Sequence, residues 1–156
     1  MGIHRDASRR ERGKFYEGLI AALLEFAEPN FRLWKYDDKH KRTRLEMLQA
    51  IQKQTGKIST ELSNVPTLPA ESAHVWRWWL AMHAKRRSNG MGIGALTWSD
   101  VGAYFDLIRT KPLPWEVDAI DRIDTLYLWT QNPKSEKPIT GLGALKKNID
   151  PKPRSD

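Results

Sequence analysis

Apolar residues recur at helical spacing along most of this chain and alternate at strand spacing almost nowhere. Phe15, Tyr16, Leu19, Ile20, Leu23, Leu24 and Phe26 predict a first helix over residues 11–27. Glu28-Pro29 ends it, because proline disfavours a helical conformation in the residue before it. Residues 30–36 alternate weakly through Phe31 and Leu33 and read as an extended connector rather than a strand. A second helix is expected from a cap at Asp37 or Asp38 to Gln54, with Leu45, Leu48 and Ile51 inward and Met47 to one side. Gly56 supplies the stop, since glycine tolerates the left-handed conformation there. Residues 57–69 contain Pro66 and Pro69 and read as a linker with one helical turn at 59–62.

A third helix follows over residues 70–87. Val75, Trp76, Trp79, Leu80 and His83 share its apolar face, with Trp78 and Met82 beside it. The glycine-rich stretch 88–94 breaks it. Thr97 then looks like an N-cap with Asp100 three residues on, a capping box opening a fourth helix through Trp98, Val101, Tyr104, Phe105 and Ile108. Pro114 suits the first position of a fifth helix over residues 115–129, with Glu116 and Asp118 at its positive end. Its face carries Val117, Ile120, Asp124 and Tyr127, flanked by Ile123 and Leu128. The fold class is therefore all-α, a small bundle of about five short helices with flexible basic termini. The divisions are a disordered basic arm (1–12), an N-terminal helical region and linker (13–69), a Trp-rich helical core (70–129) and a mobile tail (130–156).

Composition changes this picture in two ways. Seven tryptophans are present, three of them within four residues at Trp76, Trp78 and Trp79. Such large side chains either build a core or meet a partner. The helical registers assign Trp76, Trp79 and Trp98 to the core, with Val101, Phe105, Ile120 and Tyr127. Trp78 and Trp115 fall outside the core stripe and become partner-binding candidates, with Met82 and Met91 as adaptable contacts. The second change comes from charge. The net charge is +7, and residues 1–60 carry 13 Lys/Arg against 8 Asp/Glu, whereas residues 61–129 carry 7 against 8. The Trp-rich part is nearly neutral and the basic character lies in the flanks. The densest basic run, with Lys39, Lys41, Arg42 and Arg44 following Trp34 and Tyr36, is a nucleic-acid patch on one reading and a solvated face on the other.

Candidate chemistry is sparse. The chain has no cysteine, and its four histidines lack metal-site spacing, so neither a metal nor a cofactor is expected. No apolar run is long enough for a membrane span. Gly90, Gly92 and Gly94 follow a helix rather than a strand, which suits a turn and not a dinucleotide site. Glu116, Asp118, Asp121 and Asp124 form an acidic group without a nucleophile or metal ligand to complete a catalytic set, so no enzyme is expected. Asp124 stands apart because it falls among apolar positions, and a buried carboxylate needs a partner. Arg86, Arg87, Arg77 or the indole N–H of Trp98 would supply it, making Asp124 a tether between the third and fifth helices.

The run Trp76-Arg77-Trp78-Trp79-Leu80, then Lys85-Arg86-Arg87, Leu96-Thr97-Trp98-Ser99-Asp100-Val101, Leu113-Pro114-Trp115-Glu116-Val117 and Asp121 to Leu128 resembles the tail assembly chaperones, or minor tail proteins, of long-tailed bacteriophages and prophages. Gln54-Thr55-Gly56-Lys57 and Leu68-Pro69 fit the same pattern, so the resemblance covers residues 45–129. It implies a non-enzymatic assembly factor of the host cytoplasm, absent from the mature virion. Its implied partners are the tape-measure protein and the tail tube protein, with self-association as a further mode. The other readings are a basic nucleic-acid-binding module and a structural minor tail protein retained in the particle.

Overall fold

The computed structural model describes residues 3–88, 90, 92–134 and 136–138. Among them run six α-helices: α1 (Ile3–Trp34), α2 (Arg44–Thr55), α3 (Thr60–Ser63), α4 (Ala73–His83), α5 (Trp98–Leu107) and α6 (Pro114–Gln131). A 3₁₀ turn at Ala70–Ser72 leads into α4, and two short antiparallel strands, β1 (Tyr36–Asp37) and β2 (Arg42–Thr43), lie between α1 and α2. The chain is mostly α, as the periodicity predicts. The expected mobile tail lies largely outside the described residues.

Helix α1 departs most from expectation. It starts at Ile3, so residues 3–12 are helical rather than a disordered arm, and it continues through Pro29 to Trp34. A proline inside a helix costs about 3 kcal/mol through the lost N–H bond and the clash with the preceding turn. Burial of Phe31 and Leu33 beyond it returns about 1.5–3 kcal/mol each, enough to carry the helix past the break. The Asn30 side chain donates to the Phe26 carbonyl at 2.8 Å, satisfying an acceptor beside the proline. The connector expected over 30–36 is thus mostly the last turn of α1.

The cap expected at Asp37 or Asp38 also moves. Asp37 instead accepts the Lys39 and His40 amides in the β1–β2 turn. Thr43 caps α2 in a reciprocal box with Glu46. Of the face predicted for α2, Leu48 is buried and Ile51 is exposed, so this helix lies on the surface. The capping box predicted at Thr97 and Asp100 is present, as is Pro114 at the start of α6.

The core is not confined to residues 70–129. Ile20, Leu23, Leu24, Ala27 and Phe31 of α1 pack against Val75, Trp76 and Trp79 of α4 and Ala119, Ile120, Ile123, Leu126 and Tyr127 of α6. Helices α1 and α6 run parallel. Tyr16 stacks on Trp115 near the start of α6, and Phe31 meets Tyr127 near its end, where Gln131 donates to the Phe31 carbonyl. Phe31 is the hub of the aromatic cluster, with ring centroids 5.0 Å from Trp79, 5.2 Å from Tyr127, 5.4 Å from Trp34 and 5.6 Å from Trp76. Arg122 adds a bidentate pair to Glu17 at 2.9 Å, half-exposed and so modest in worth.

Because Pro29 costs helix hydrogen bonding while its neighbours hold the helix in place, Pro29→Ala should stabilise the protein by about 1–3 kcal/mol. Urea unfolding measures this; an unchanged or lowered midpoint refutes the account.

Candidate functional site

The polar centre of the molecule is the Asp124 carboxylate, buried on α6. Its Oδ1 accepts the Trp79 indole N–H at 3.1 Å and an Arg86 guanidinium N–H, while Oδ2 accepts the Leu96 amide at 2.9 Å and a second Arg86 N–H at 3.3 Å. The side chains of Arg86 and Asp124 are 6% and 7% exposed, which makes this a buried ion pair. Arg86 also donates to the Gly94 carbonyl at 2.7 Å and to His83 Nδ1 at 3.2 Å. Of the four partners proposed from sequence, Arg86 is brought to Asp124. Arg87 and Arg77 are exposed, and the Trp98 indole is not a partner. The indole that does bond is that of Trp79, which the register had placed in an apolar core.

His83 stacks on the Trp79 ring at 4.6 Å and meets the Tyr127 ring edge-on at 4.5 Å. Burial, reinforced by the Arg86 charge and opposed by Asp124, holds its pKa below the ordinary histidine value. Burial likewise raises the Tyr127 phenol, with Asp124 adding to the effect and Arg86 opposing it. In the acidic group, Asp121 is raised by desolvation and by Asp118 and Asp124, whereas Asp118 pairs with Arg122. Among the described residues no three His, Asp or Glu side chains gather as a metal site, and no helix is long and apolar enough to cross a membrane.

This buried pair places the segment leading to α5. Arg86 holds Gly94 and Asp124 holds Leu96, while an antiparallel bridge joins Ser88 to Ile93 across a turn in which Gly90 and Gly92 have positive φ. Thr97 then opens α5, which packs Val101 and Phe105 inward. Between α4, this segment and the outer side of α5 lies an open groove of about 590 Å³. Ala81, Met82 and Lys85 line one wall, Ala103, Tyr104 and Leu107 the other, and Leu96 the end. Leu107 is 83% exposed.

The four partner-binding candidates from sequence fare differently. Met82 is buried in the core and reaches the groove only at its base, because α4 turns that side of itself to α5 and α6. Trp78 is half-buried in a seam, edge-on to Phe105 and His74, each 4.9 Å away. Trp115 is half-buried against Tyr16 and His74. Met91 lies outside the described residues. Trp98, assigned to the core, is instead 63% exposed. It shares the line of Val101 and Phe105 one turn earlier, but that line is covered only at those two residues. Leu107 was missed altogether. Its signal was its spacing from Ala103, an apolar pair off the packed line.

Only the last residue of the basic run lies in a helix. Lys39 and Lys41 occupy the β1–β2 turn and Arg42 is in β2. Arg44 opens α2 and is held by Glu61 at 2.5 and 3.2 Å, a pairing that raises its pKa. A second groove of about 690 Å³ runs beside it between Tyr36, Met47 and Trp129.

Asp124→Asn leaves Arg86 buried without its counter-charge and should cost about 3–5 kcal/mol in denaturant unfolding. An unchanged melting temperature eliminates the tether. For His83, the lowered value means that the unfolded chain takes up the proton more readily. Its stabilisation is full above the ordinary value of about 6.5 and is lost as pH falls through the folded value. The melting temperature should therefore drop between about pH 7 and pH 5, and His83→Phe should flatten that drop. Equal drops in both proteins contradict the assignment.

A family model described as Phage tail assembly chaperone matches residues 51–128, from the end of α2 to near the end of α6. No curated protein and no solved structure matches the chain. The match spans half of the sequence and contains both the Arg86–Asp124 pair and the α4–α5 groove it places. This chain belongs to the phage tail assembly chaperone family.

Proposed function

We propose that this protein is a non-enzymatic assembly factor that binds the tape-measure protein and recruits tail tube protein while the tail is built. It acts in the host cytoplasm and leaves before the particle is complete. Family membership supports the role, and the observation that carries it to this chain is the open apolar groove with Leu107 projecting beside it. A chaperone for a helical client needs apolar anchors reachable from solvent and adaptable in what they accept. It does not need a closed pocket or a set of reacting groups.

Co-expression tests this. The tape-measure protein should stay soluble and co-purify with this chain, and mass spectrometry of purified tails should find no peptides of it. No association and unchanged tape-measure solubility refute the chaperone role. Stoichiometric presence in finished tails makes it a structural tail component instead.

A further inference from the structure

The α4–α5 groove combines an apolar floor with a cationic rim, and this pairing selects a partner. Ala81 and Ala103 line it from opposite helices, and their short side chains leave room for a partner's anchors. Leu107, Tyr104 and Leu96 supply the apolar contact. Lys85 and Arg87 stand exposed along it and make no salt bridge among the described residues, Arg87 acting on Asp100 only through its longer-range charge. The neighbouring Arg86 is consumed by Asp124. Asp100, the carboxylate lining the groove among the described residues, is engaged with the Thr97 amide at the start of α5.

We propose that this groove holds the apolar face of an amphipathic helix with acidic flanks. Apolar anchors at i, i+3 or i+4, and i+7 would lie on Leu96, Tyr104 and Leu107. Carboxylates beside them would meet Lys85 and Arg87 and fix the direction of the helix. A second copy docking through the same face is a poor occupant, because it would set Lys85 and Arg87 against their own like charges. The chemistry of the partner follows from the groove; only its identity as a segment of the tape-measure protein rests on the proposed chaperone role.

The test uses the full chain and two labelled helical peptides with identical apolar faces, one flanked by Glu and the other by Lys. Fluorescence anisotropy should show the Glu peptide binding about tenfold more tightly than the Lys peptide. Leu107→Asp should abolish binding of the Glu peptide, and Lys85→Glu with Arg87→Glu should reverse the preference. All three positions are exposed, so circular dichroism and the melting temperature should match wild type. Equal affinity for the two peptides, no binding of the Glu peptide, or binding untouched by Leu107→Asp overturns the proposal. A concentration-dependent wild-type dimer that Leu107→Asp dissolves also overturns it, since the occupant is then a second copy. Co-expression separates the two claims. If wild type and groove variants hold the tape-measure protein equally, a segment of that protein is not the groove's occupant and the chaperone role stands. If wild type binds the Glu peptide but not the tape-measure protein, the chaperone role fails and the groove assignment stands.

Discussion

The Asp124 carboxylate is the constraint on which the outer half of the molecule depends. A buried ion pair is a weak source of net stability, because both charges lose their water. Its value here is positional. The two oxygens and the guanidinium together bind α6, the end of α4, the Gly94 carbonyl and the Leu96 amide. The stretch after α4 is rich in glycine and has little apolar content, so packing alone would hold it poorly. With Gly94 and Leu96 held, Thr97 can cap α5 at a defined place, and the groove follows from where α5 begins.

The inner half depends on α1. The family match begins at residue 51, yet the core of α4, α5 and α6 is completed by Ile20, Leu23, Leu24, Ala27 and Phe31. Without α1, Trp76, Trp79 and Tyr127 would lose the Phe31 ring at the centre of their cluster. An N-terminal helix outside the matched segment therefore completes its core. Residues 6–15 of the same helix are exposed along their length. They keep helical form as a continuation of a helix already anchored by packing, which avoids the cost of nucleation.

The tryptophans divide by what surrounds them. Trp79 is fully buried, yet it spends its N–H on Asp124, so it serves packing and the polar centre together. Trp78 and Trp115 seal seams between helices, and Trp98 faces solvent. The aromatic richness of the chain is mainly structural. The groove beside α5 is lined instead by smaller residues, Leu107, Tyr104 and Leu96 with Ala81 and Ala103.

By itself the sequence determined the helical class, the cap at Thr97, Pro114 at the first position of the last helix, the stop at Gly56, and the need for a donor partner at a buried Asp124. Each of these rests on local periodicity, on a side chain bonding its own backbone, or on the cost of an unpaired buried charge. Only the tertiary structure decided that α1 runs through Pro29, that Thr43 and not Asp37 caps α2, and that Trp79 and Arg86 rather than Trp98 and Arg87 meet Asp124. It also decided that Met82 is covered and that Trp98 and Leu107 are not. Helical spacing says which residues share a line. It cannot say how much of that line a neighbouring helix covers, because coverage depends on where two helices cross and where each one ends.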